Sequence, residues 1–160
     1  KVPGGGGNFT CLKDGSKCYV GLRKANAVGV IDMEKLELMK TIETGPDANR
    51  LYLNPGNSRY GLFANEAGKS DIVSIIDTQL DVKVKDIWTG LGPHNVAFDP
   101  DGKFAVISTK KENVATLVDT GSADPNDWDV ITTDLDSGIQ NNGVRWVPSP
   151  AALKKALAQN

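Results

Sequence analysis

The chain repeats itself. Aligned on the acidic residue that ends an apolar run, three stretches fall into register: "NFTCLKDGSKCYVGLRKANAVGVIDMEKLELMKTIETG", "NRLYLNPGNSRYGLFANEAGKSDIVSIIDTQLDVKVKDIWTG" and "HNVAFDPDGKFAVISTKKENVATLVDTGSADPNDWDVITTDLDSG". The anchoring acids are Asp32, Asp77 and Asp119, 45 and then 42 residues apart, and six residues before them stand Asn26, Asp71 and Asn113. A period of this size marks a repeat architecture, in which each unit covers its apolar faces only against its neighbours. In the third stretch the pattern predicts strands at Asn95–Phe98, Phe104–Thr109, Val114–Val118 and Asp129–Thr133. "DPDGK" joins the first two, with Pro to fix φ and Gly to accept a positive φ, and "KDGSK" and "NPGNS" stand there in the other stretches. Runs such as "VGVID" and "TLVDT" are β-branched and strand-forming. The predicted fold is all-β, with four antiparallel strands per unit, the blade of a β-propeller.

Composition narrows the function classes. With 39% apolar and 24% charged residues and a net charge of −2, the chain is ordinary for a soluble globular domain. It carries no basic stripe for nucleic acid, and its longest apolar runs are strand-sized, well short of a membrane span. The 17 glycines and 8 prolines are spread over turn positions, as many short elements require. Lys1, not Met, stands first, so the expectation is a processed mature form or a piece of a longer chain.

The second strands read "YVGL", "LFAN" and "VIST", the third strands end "VID", "IID" and "LVD", and the turns are close to "PDG". These motifs resemble the YVTN family of β-propeller repeats, over roughly Gly4 to Gly138. The resemblance implies blades at about 4–45, 46–90 and 91–138. A partial fourth follows at 139–148, where Val144, Trp146 and Pro148 match Val96, Phe98 and Pro100. Residues 1–148 are then propeller repeats and 149–160 a short C-terminal helix, with Ser149 as cap, Pro150 in the first turn and "AALKKALAQ" as helix former. About three blades are too few for a closed ring of typically 4–8. Self-association, completion by the rest of a longer chain, or an open arc with covered edges would each resolve this; association is preferred, because an uncovered strand edge is sticky.

Cys11 and Cys18 flank the first hairpin turn. If "KDGS" is a four-residue loop they face each other across the strands, close enough to bridge. A disulfide is the favoured reading, which would imply an oxidising compartment, the periplasm or the cell surface. Two buried thiols, or a metal or redox pair, remain open. His94, the single histidine, matches Gly7 and Asn49 of the other stretches. In propellers this position lies near the mouth of the central channel, so His94, Asn49, Arg50 and Asn95 are the candidate ligand-binding residues. Imidazole can bind a metal or act as a base, but one histidine builds no metal site alone, and the preferred reading is that His94 fills a turn-and-cap slot of the repeat. The repeated Asp32, Asp77 and Asp119 are expected to cap turns. Asp99 and Asp101 fall short of a calcium loop, and "GGGG" at Gly4–Gly7 lacks the features of a phosphate loop. The acidic "DPNDWD" insert, Asp124 to Asp129, is a contact-site candidate whose plainer reading is a solvated loop.

No catalytic constellation, metal site or required cofactor follows from these residues. The expected function is a non-enzymatic binding or scaffold module with protein or small-molecule partners, forming a homo-oligomer or completed by a longer chain. The alternative, implied by the resemblance, is part of a periplasmic propeller oxidoreductase (nitrite-reductase-like or nitrous-oxide-reductase-like) or of a lactonase-type hydrolase with its site at the channel mouth.

Overall fold

The computed structural model describes residues 4–66, 68, 70–112 and 114–136. Twelve strands run along it: β1 Gly6–Cys11, β2 Lys17–Leu22, β3 Ala27–Asp32, β4 Glu37–Glu43, β5 Ala48–Leu53, β6 Tyr60–Asn65, β7 Ile72–Asp77, β8 Val82–Trp88, β9 Pro93–Phe98, β10 Phe104–Thr109, β11 Val114–Asp119 and β12 Asp129–Asp136. They form three separate four-stranded sheets, β1-β2-β3-β4, β5-β6-β7-β8 and β9-β10-β11-β12. Every neighbouring pair is antiparallel. The fold is thus all-β, made of β-propeller blades, and the described residues do not close into a ring. The expected partial fourth blade and C-terminal helix lie outside the described residues.

The sheets stack through their faces. β5 packs against β1 and β2, and β9 against β5 and β6. Strand side chains alternate between faces, and the two faces of each second strand serve different neighbours. Tyr19 joins Val28, Val30, Ile42, Leu51, Phe63 and Ile76 in a core between the first and second sheets. Leu62, one repeat on, joins Val73, Ile75, Val96, Ile107 and Val118 between the second and third. Val20, next to Tyr19, belongs instead to a separate cluster with Leu22 and Ala27. The middle sheet therefore buries both faces against other sheets.

Turn chemistry fixes the register of adjacent blades as well as of hairpins. Asn54 of the "NPGNS" turn accepts from the backbone of Gly56 (2.8 Å) and donates to the Gly102 carbonyl in the "DPDGK" turn of the next sheet (2.8 Å). Gly102 has φ +70°, and a Cβ there would run into the Asn54 side chain. The turn thus needs glycine both for its backbone and for the neighbour it admits. The repeated acids cap turns as expected from the sequence. Asp32 Oδ1 accepts from the Glu34 and Lys35 amides, Asp77 Oδ1 from Gln79 and Leu80, and Asp119 Oδ1 from Gly121.

Cys11 pairs with Cys18 in the β1–β2 ladder, and the two are disulfide-bonded. The "DPNDWD" insert is more than a solvated loop. Asp124 caps a single 3-10 turn, Pro125–Asp127, which returns Trp128 into the core. There Trp128 meets the Tyr60 ring edge-on at 6.0 Å and donates its indole N–H to the Ser122 carbonyl. Lys85 of the second sheet closes the contact from outside by donating to the Asn126 and Trp128 carbonyls.

Candidate functional site

The register makes Gly7, Asn49 and His94 equivalent, each one residue after the start of an inner-strand pairing (Gly6↔Leu22, Ala48↔Asn65, Pro93↔Thr109). These starts lie beside the ends of the second strands, where the chain turns away. The residue just after each second strand is charged: Arg23, Glu66 and Lys110.

Glu66, from the middle sheet, is the hub of the site. It accepts from Arg23 Nη2 of the first sheet at 2.6 Å and from Lys110 Nζ of the third, and His94 Nε2 lies 3.2 Å from its Oε1. Burial alone would push the Glu66 carboxyl up. The hydrogen bonds from Lys110 and Arg23 outweigh it, with the Lys110 charge adding to them, and hold the carboxyl below its ordinary range. Arg23 also bridges to Asp47 at 3.1 Å and donates to Asn49 Oδ1 at 3.0 Å.

The four candidates from the sequence sit around this hub in different states. Asn49 is buried, and its Oδ1 takes hydrogen bonds from Asn8 Nδ2 and Arg23 Nη2. Asn95 accepts from Tyr52 Oη at 2.5 Å, which leaves its amide nitrogen 2.9 Å from His94 Nδ1. That nitrogen must then donate, so Nδ1 accepts and Nε2 carries the proton that faces Glu66. Arg50 differs from the other three. It is exposed, and its guanidinium lies over the Tyr52 ring, 5.2 Å from the centroid. The structure brings His94, Asn49 and Asn95 into one polar chain and sets Arg50 beside it.

Sequence reasoning missed Glu66, Arg23, Lys110 and Tyr52. A signal for three of them was present: one residue past the second strand the repeats carry plus, minus, plus, 43 and then 44 residues apart. Alternating charge at a repeat period pairs neighbouring units. A second lock holds the opposite end of the first two sheets. The single Tyr19 O–H is directed at Asp81 Oδ1 (2.6 Å), with the Thr78 carbonyl also 2.9 Å from the hydroxyl, and Lys17 bridges to Asp81 at 2.7 Å. Burial and the Asp81 carboxylate both raise the Tyr19 hydroxyl, which stays a donor.

No family model and no curated protein matches this chain. Solved structures do. Hydrazine synthase of Kuenenia stuttgartiensis superposes with a TM-score of 0.76 and 21% identity, over 95% of this chain and 41% of that one. A putative 6-phosphogluconolactonase from Bacteroides fragilis gives 0.69 and 20%, over 87% and 42%. A chain of the mitotic checkpoint complex gives 0.63 and 18%, over 88% and 41%. This chain spans about two fifths of each. At such identities the likeness is one of fold, and that fold is propeller-like.

Proposed function

We propose that this chain is a partial propeller of the YVTN type that serves as a non-enzymatic binding or scaffold module. In this reading it completes a ring by self-association, or with the remainder of a longer chain, and presents His94, Asn49, Arg50 and Asn95 at the channel mouth. One observation carries the reading: the polar groups around Glu66 are committed to one another across blades. Glu66, the acid best placed for chemistry, is matched by Arg23, Lys110 and His94, an arrangement that joins three sheets.

The succession of faces supports ring completion. The first residue of each second strand reaches toward the next sheet: Lys17 to Asp81, and Tyr60 to Trp128. The equivalent Phe104 is 39% exposed. Two copies of three blades would give six, within the usual range for a closed ring. The disulfide fits an oxidising compartment, the periplasm or the cell surface.

The rival reading, a subunit of a propeller oxidoreductase or lactonase-type hydrolase, draws on the names of two neighbours, a hydrazine synthase and a putative 6-phosphogluconolactonase. Light scattering after gel filtration, over a concentration range, tests ring completion. A particle of about twice the 17.1 kDa chain is expected, and a monomer at every concentration overturns self-association. Absorbance and metal analysis of the same sample test the rival: a Soret band or stoichiometric metal overturns the scaffold reading.

A further inference from the structure

The inner strands β1, β5 and β9 line a groove of about 300 Å³. Its walls are largely apolar, with Pro55, Val96 and Phe98 among them, and Thr10 and Arg50 supply the polar margin. Thr10 is already committed, since its hydroxyl donates to the Leu51 carbonyl at 2.6 Å. Arg50 has no such commitment. Among the described residues Arg23 and Arg59 each have carboxylate partners, whereas Arg50 has none and rests on an aromatic ring instead.

That ring is itself held in place. Tyr52 donates to Asn95 Oδ1 at 2.5 Å and contacts the His94 carbonyl at 3.3 Å, so the platform under Arg50 is pinned to the next blade. The exposed Arg50 guanidinium above this fixed ring keeps donors that no carboxylate among the described residues takes, and its planar fork matches a carboxylate through two parallel hydrogen bonds. In such a groove the apolar wall can hold a small molecule's body while the charged group at the margin orients its polar end.

We infer that this groove binds a small organic carboxylate, its acid on Arg50 and its flat apolar body against Phe98, Val96 and Pro55. The inference rests on the channel-mouth reading above and names the ligand class for one part of it. Asn49, His94 and Asn95 act as positioning residues, because each holds a strand or the Tyr52 platform.

Three probes test this: benzoate, its neutral analogue benzyl alcohol, and inorganic phosphate, each titrated into the ¹⁵N-labelled full chain by NMR. Benzoate should give saturable shifts at the Arg50 Nε–H and along β5 and β9. Benzyl alcohol and phosphate should each bind at least tenfold more weakly, since one lacks the charge and the other the apolar body. Arg50→Gln should weaken benzoate at least tenfold, and Arg50→Lys should recover only part of the loss, because it restores charge without the fork. Arg50 is exposed, so both variants should keep the wild-type melting curve. No saturable benzoate binding, equal binding of phosphate, or binding unchanged in Arg50→Gln overturns the inference. The mass of the same samples is read separately: a monomer that binds benzoate overturns self-association and leaves the groove standing.

Discussion

Glu66 shows how one residue can join three repeats. It is mostly buried, which disfavours a bare carboxylate, yet it stays ionised because cations reach it from both sides. Removing a partly buried ion hub leaves its partners unmatched. The exposure of Arg23 and Lys110, 39% and 32% at their side chains, lets water offset part of that loss. Glu66→Gln should therefore cost about 1–2 kcal/mol, read from urea unfolding at neutral pH. The pH dependence has a definite sign. A carboxyl lowered by folding adds stability above its unfolded value, near 4.5, and loses it as pH falls through the lowered folded value. Wild type should thus lose more stability than Glu66→Gln on acidification through that window. Parallel curves would show that the carboxylate charge contributes nothing to the blade contacts. Asp77, held down against its own burial by Arg59 and two backbone amides, adds a background loss of the same sign in both proteins.

At the scale of elements, each hairpin was legible because its information is local. Alternating β-branched residues, an acid at the end of the third strand and a Pro-Gly or Asp-Gly turn recur within about forty residues. The Cys11–Cys18 pairing followed from the same turn count, since the bridge lies within one ladder. What was not legible depends on contacts between repeats. The Glu66 hub uses residues from four separate elements, and only the sign pattern at Arg23, Glu66 and Lys110 hinted at it. Trp128 was hidden differently. Its insert has no counterpart in the other repeats, and its acidic neighbours read as loop, but the 3-10 turn at Pro125–Asp127 folds the indole back against Tyr60. With the side chain fully buried and its N–H bonded, Trp128→Ala should cost about 3–5 kcal/mol by cavity formation. Urea unfolding of the variant checks this; a loss under about 1 kcal/mol, typical of a surface site, would mean that the insert is a passive loop.

At the scale of the whole molecule, stability should follow position in the stack. In repeat proteins each unit has its own stability plus terms from its neighbours. The middle sheet has two such interfaces: Leu51, Phe63 and Ile76 serve one, and Leu62, Val73 and Ile75 the other. It also carries Glu66 at one end and, at the other, Asn54, which grips the third sheet, and Asp81, which grips the first. The flanking sheets each have one such interface among the described residues. Opening β6 and β7 therefore requires breaking both cores, whereas β3–β4 or β11–β12 can open by breaking one. Native-state hydrogen exchange should accordingly be slowest at β6 and β7, with β3, β4, β11 and β12 exchanging through cheaper partial openings. Ring completion adds a second expectation to the same experiment. A partner seated on the Phe104 face should raise protection in β10 and β11 as protein concentration rises, because binding only the folded form stabilises what it covers. Uniform protection across all three sheets would show instead a single cooperative unit, with the blades too strongly coupled to open one at a time.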